Sequence, residues 1–238
     1  MIRIANVYTV ASTPAEFATL LGMNYNAEDS ILYKGTNSRT GFKVQNYPTS
    51  ASSSLSVTLN LCVNGVTVAN TTTTPTSGPA LYYEKIGDDT CVFNCNIDLD
   101  KLAMFYSKFT KGDGSTGWCY CCPLNTSGYQ YAIVFDDEDN CAYIPYATID
   151  LKISTSGGTT VSNHPIIDTI SLAPLIVQMN ESQNYKKIHN VYMASIFPYD
   201  KRTAMQEFTL NSQRYISMCG TTTTSNYYLP LVVKGNNY

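Results

Sequence analysis

The chain has 238 residues, a formal net charge of −3 and only 14% charged residues, where about 25% is usual. It is long enough to bury a true core, and no Lys/Arg cluster offers an electrostatic footprint for a phosphate backbone, which disfavours nucleic-acid binding as a primary role. The 19 tyrosines, abundant Thr, Ser and Asn, and few straight-chain charged residues favour a β-rich fold. The start, Met1-Ile-Arg-Ile-Ala-Asn-Val-Tyr, has neither the basic flank nor the apolar run of a signal peptide. No run approaches bilayer-spanning length. The expectation is a protein made in a cytoplasm with no membrane partner.

In chain order, residues 3–10 suit a short strand. Thr13, Pro14 and Glu16 then form a helix start: a capping hydroxyl, a proline at the first position and a carboxylate reaching back. Phe17, Leu20 and Leu21 supply one apolar face and Gly22 a stop, so the predicted helix has about two turns. Residues 31–33 and 41–44 read as strands around a turn at 35–40. Residues 55–61 alternate Leu55, Val57, Leu59 and Leu61 with hydroxyl and amide side chains. Asn64-Gly65 is a favoured two-residue hairpin turn, with the return strand starting at Val66 and a polar loop following over 71–78.

Residues 81–86 and 90–97 suggest a second hairpin through Gly87-Asp88-Asp89. The spacing of Leu99, Leu102, Ala103 and Tyr106 predicts a helix from 99 to about 109, capped by Asp98. The glycine-rich stretch 111–117 lacks a Walker sequence, and its predicted helix-to-strand flanks are opposite to those a phosphate loop needs. Residues 131–135 and 141–149 form a predicted hairpin around Asp136, Asp137, Glu138 and Asp139, continuing as a strand to about 153. The acidic turn reads as a solvated loop. A Ca²⁺ site is the alternative, without the spacing and central glycine of an EF-hand. A Ser/Thr/Gly turn follows at 155–160, and the pattern weakens through 163–184. Three features close the chain: a strand over 187–196, a hairpin of 208–210 with 214–218, and a last strand over 227–233. Pro230 has no ladder donor, which places that last strand at a sheet edge open to another subunit.

Eight cysteines are too sparse at this length for a disulfide framework. Cys91, Cys95, Cys119 and Cys122 have the ligand count of a structural zinc site. Yet Cys91, Phe93 and Cys95 would share one strand face and Cys119 and Cys121 another, the pattern of core cysteines. Core positions are the expected outcome, with zinc and disulfides as alternatives. Neither His164 nor His189 sits in a recognisable catalytic signature, and Ser195 lacks a nucleophile elbow. Trp118 beside tyrosines suits a core position or a sugar-stacking platform. The sequons at Asn70, Asn125 and Asn180 are expected to be unused. No catalytic, cofactor-binding or metal residue is assigned.

Three C-terminal stretches, Asn190-Val-Tyr-Met-Ala, Phe208-Thr-Leu-Asn-Ser-Gln-Arg-Tyr-Ile-Ser-Met and Tyr-Tyr-Leu-Pro-Leu-Val-Val, resemble the closing hairpin and strand of minor structural proteins of tailed bacteriophages. The resemblance covers roughly the last fifty residues and carries no functional residue with it. It implies a non-enzymatic virion protein of the tail, baseplate or capsid surface, assembling with other virion proteins as a homo-oligomer or repeated subunit. A receptor- or carbohydrate-binding module and a hydrolase with an unrecognised nucleophile are the alternatives. The expected fold is mainly β, an antiparallel sandwich or barrel-like structure with two or three short helices. It is organised as residues 1–153 and 154–238, or as one domain.

Overall fold

The computed structural model describes residues 1–53, 57–70, 80–95, 103–123, 131–137, 141–144, 153–154, 160–161, 172–179, 184–194, 205–218 and 231–237. The fold is mainly β and antiparallel, with one α-helix and one 3₁₀ turn among the described residues.

Strand β1 (Ile2–Ile4) is shorter than the sequence predicts, because Val7–Thr9 forms the 3₁₀ turn. The Asn6 side chain accepts the Tyr8 N–H at 3.0 Å and the Thr9 hydroxyl donates to the Asn6 carbonyl at 2.7 Å, local bonds that compete with a ladder. Helix α1 (Pro14–Leu21) follows the prediction closely. Thr13 and Glu16 close the capping box, and Gly22 ends the helix at φ 76°. The helix buries Phe17, Ala18 and Leu21.

Strands β2 (Asn24–Asn26), β3 (Ile31–Tyr33), β4 (Gly41–Asn46), β5 (Thr58–Val63) and β6 (Val66–Asn70) form a five-stranded sheet in sequence order. The β5–β6 turn has Asn64 at φ 50° and Gly65 at φ 82°, both in the left-handed region that this hairpin needs. Both faces of β5 are buried, Thr58, Asn60 and Cys62 as well as Leu59 and Leu61.

The larger sheet has twelve strands. It contains β1, β7 (Leu81–Ile86), β8 (Thr90–Asn94), β9 (Met104–Lys111), β10 (Thr116–Pro123), β11 (Tyr131–Phe135) and β12 (Cys141–Ile144). Its later strands are β15 (Leu172–Met179), β16 (Asn184–Ala194), β17 (Glu207–Leu210), β18 (Gln213–Ser217) and β19 (Leu231–Lys234). Between them β13 (Ile153–Ser154) and β14 (Thr160–Val161) pair separately. Strands from either side of residue 153 share the large sheet, since β16 pairs with β9.

Three expectations are corrected. The predicted helix ending near residue 109 is strand β9 from Met104 onward, and residues 96–102 lie outside the described set. Phe105 and Phe109 serve one core and Met104 and Tyr106 the other, so a doubly buried strand gave an apolar run without clean alternation. The glycine-rich stretch therefore turns strand into strand, β9 into β10. The last strand is not an edge over its described part: β19 pairs with β16 on one side and β18 on the other. Pro230 and residues 227–229 lie outside the described set, as do residues 145–150 of the predicted strand after β12. β15, in the stretch of weak pattern, was not anticipated.

Two cores separate three layers. The first packs α1 and the small sheet on β7–β11, through contacts such as Phe42 edge-on to Phe93 (5.5 Å) and to Tyr120 (5.6 Å). The second lies on the opposite face of β7–β11 and joins it to β15, β16, β18 and β19 through residues such as Phe105, Ile133, Val177, Ile188 and Val233.

Candidate functional site

The large sheet forks. β9 pairs with β8 over Met104–Ser107 and with β16 over Phe109–Lys111. β16 in turn leaves β9 after Ile188 and joins β19 from Val191. Against β15 its register jumps between Pro174 and Ile176, so residues 188–191 bulge, with Asn190 at φ 58°. A polar cluster fills the fork. The His189 carbonyl accepts the Ser107 hydroxyl at 2.7 Å and the Thr90 hydroxyl at 3.3 Å, and Asn190 Nδ2 donates to Thr90 Oγ1 at 3.1 Å. The His189 ring lies 2.8 Å from Thr110 Oγ1 through Nε2 and 3.5 Å from Asp89 Oδ2 through Nδ1.

Hydroxyl, imidazole and carboxylate thus stand in nucleophile–base–acid order, which the sequence did not suggest because the partners lie far apart in the chain, on β9, on β16 and in the β7–β8 turn. The carboxylate arm is long for an orienting bond, and Asp89 is shared with Lys108 Nζ at 3.6 Å. The shortest bond to His189 in the fork holds its backbone. The cluster satisfies a carbonyl where one ladder hands over to another.

A second cluster involves the first two residues of the acidic turn, Asp136 and Asp137, which stand in a turn as expected and carry specific partners there. Asp136 Oδ1 accepts the Trp118 N–H at 2.7 Å, and the carboxylate rests against two glycines. A Cβ at Gly35 would lie 1.8 Å from Asp136 Oδ2, and one at Gly117 2.7 Å from Oδ1. Burial pushes the Asp136 carboxyl above its ordinary range, against the lowering pull of the Trp118 N–H. Asp137 bridges Lys111 Nζ at 2.6 Å and Lys186 Nζ at 2.9 Å. Lys186 is fully buried and sits over the rings of Phe135 (4.3 Å) and Phe109 (5.0 Å). Glu138, Asp139 and Asn140 lie outside the described residues.

Cys62, Cys91, Cys95, Cys119, Cys121 and Cys122 are free and buried, in the core positions expected of them. Cys91, Cys95 and Cys122 face the first core and Cys119 the second, so the sheet divides the four candidate ligands. Among the described residues no three His, Cys, Asp or Glu side chains converge. Burial pushes the thiols of Cys91, Cys95 and Cys119 well up. Trp118 is half-buried against the first core, with Lys34 Nζ 5.3 Å from its ring and Tyr106 meeting it at 5.9 Å. His164 and Ser195 lie outside the described residues.

The last feature is an edge. Among the described residues β15 pairs only with β16, and Leu-Ala-Pro-Leu-Ile-Val-Gln-Met carries no charge over eight residues. Ile176 is 51% exposed, and Tyr185 on the adjoining strand 46%. Edges are usually blunted by charge, a bulge or brevity; β15 has neither charge nor brevity, and its irregularities are Pro174 and the register shift against β16 beside it. Comparison with known proteins finds no matching family model, no curated relative and no solved structure of significant similarity.

Proposed function

We propose that the chain is a non-enzymatic structural subunit of a tailed-phage virion, on the tail, baseplate or capsid surface, made in the host cytoplasm and acting through contacts with other virion proteins. The observation that supports this is the uncharged edge strand β15, with Ile176 exposed on it. Such an edge offers backbone donors and acceptors to an added strand and apolar side chains to its neighbours. The polar clusters at His189 and Asp137 serve as internal fasteners between strands, a structural use of groups that an enzyme would direct at a substrate.

The test is mass spectrometry of particles purified on a density gradient from cells producing the phage that encodes the chain. Incorporation at a fixed copy number in independent preparations is expected. Particles lacking the chain while it stays in the soluble fraction would refute the proposal.

A further inference from the structure

Resting on that reading of β15, we infer that the strand added there is the β15 of a second copy, antiparallel about a two-fold axis near Ile176, so that the large sheet runs through both subunits. Four observations carry the choice of occupant.

β15 is the longest described edge. β6 has five residues, β1 three with Arg3 among them, and β17 four with Glu207. A heterologous partner gains specificity from charges set opposite its own, and β15 offers neither sign. An uncharged strand is by contrast complementary to itself. Among the described residues the nearest exposed charge, Lys187, pairs with Ile176 one strand inward. In the order β16–β15–β15′–β16′ the two copies of Lys187 stand three strand spacings apart, about 14 Å, beyond the screening length of about 8 Å at physiological salt. Finally, a two-fold near Ile176 places this half-exposed side chain against its own copy, with Pro174 opposite Gln178 on the same face. An isologous contact of this kind closes at two subunits.

Light scattering after size exclusion, with Ile176→Lys and Ile176→Cys variants of the full chain, tests this. Cα atoms facing each other across an antiparallel pair are about 4.5–5.5 Å apart, within disulfide range. The expected results are a two-chain mass for the parent, a one-chain mass for I176K with unchanged circular dichroism, and an oxidised I176C dimer that forms far faster than that of V66C, whose exposed site lies on β6. A parent that is monomeric up to 100-fold above its in-cell concentration, with no I176C dimer, would overturn the inference. A dimer that survives I176K would overturn it as well. Particle incorporation separates the two claims: a monomeric parent whose incorporation is lost in I176K overturns the homotypic partner and leaves edge assembly standing, whereas a dimeric parent reduced to one chain by I176K with incorporation unchanged supports the homotypic contact and overturns edge assembly in the particle.

Discussion

Arg214 on β18 is the cation on which the outer layer is anchored. Its Nη1 and Nη2 bind Glu84 Oε1 at 2.5 Å and Oε2 at 2.7 Å, and its Nε and Nη2 bind Glu207 at 2.8 and 2.6 Å. Glu84 also receives the Met1 amino group at 2.7 Å and the Asn236 N–H at 3.0 Å. The Glu84 and Arg214 side chains are only 6% and 10% exposed. Burial on its own raises the Glu84 pKa, and these donors overcome it to hold the group at about 2 against an ordinary 4.5. That difference amounts to about 3 kcal/mol, because one pKa step is worth about 1.4 kcal/mol. The folded-state pKa is depressed, so this stability is complete above the unfolded value and is lost as pH falls from about 4.5 towards 2.

Arg214→Met keeps the apolar stem and removes the charge. It should therefore cost about 3 kcal/mol at pH 7, at the low end for breaking a buried pair. Urea midpoints should fall by about 1–2 M, and the deficit should shrink to under about 1.5 kcal/mol at pH 3. Glu84→Gln should remove most of the same pH dependence, and the double variant should lose less than the sum of the singles. A loss below about 1 kcal/mol at pH 7, or an equal loss at pH 7 and pH 3, refutes the reasoning.

Gly35→Ala drives a Cβ into Asp136 and toward Trp118 Cδ1 at 3.1 Å, so its melting temperature should drop by several degrees; Asp136→Ala in the same chain should restore much of it, and no rescue would sink the steric account. Because burial raises the Asp136 pKa, its favourable contribution is present below the unfolded value and is lost as pH rises through the folded one; Asp136→Asn should therefore gain stability relative to the parent as pH rises from 4 to 7, as denaturant midpoints would show. Lys186→Met should be neutral or stabilising, whereas Asp137→Ala, which leaves the buried ammonium with less compensation, should cost about 3 kcal/mol; equal losses would argue against it. Six of the eight cysteines are buried and free, so a thiol reagent should modify at most two in the native protein and all eight in denaturant.

The parts legible in the sequence are those whose cause is local. Thr13 and Glu16 sit within one turn of each other, and Asn64-Gly65 forces its own backbone geometry, so α1 and the β5–β6 hairpin follow from a few residues. β9 was misread because tertiary structure buries both of its faces, and a short doubly apolar run has no period of its own. Asp136 and Asp137 stand in the turn that their residue types suggest, but their partners are not legible, because Gly35, Gly117, Lys111 and Lys186 come from three other parts of the chain. The fork was out of reach for the same reason, since His189 meets Thr110, Ser107 and Thr90 across separations of 79, 82 and 99 residues.

That fork yields one more prediction, about which part of the molecule opens first. At residues 188–191 β16 leaves one neighbour and joins another, and its backbone is held there by hydroxyls in place of a regular ladder. Ser107 is fully buried and donates to the His189 carbonyl at 2.7 Å. Ser107→Ala removes the shorter of the two hydroxyl bonds and leaves the 3.3 Å bond from Thr90. The loss of one such hydrogen bond, with the weaker one remaining, costs about 0.5–1.5 kcal/mol. That cost falls on the joint through which β15 and β16 are attached to β9, while the small sheet and α1 pack on the far face through a separate core. Local opening follows the weakest joint, so hydrogen exchange should quicken by roughly 2- to 10-fold in β15 and β16 before it changes in β3–β5. Uniform acceleration across both sheets would mean that the fork has no stability of its own, and unchanged exchange in β16 would mean that the hydroxyl bond does not hold the bulge.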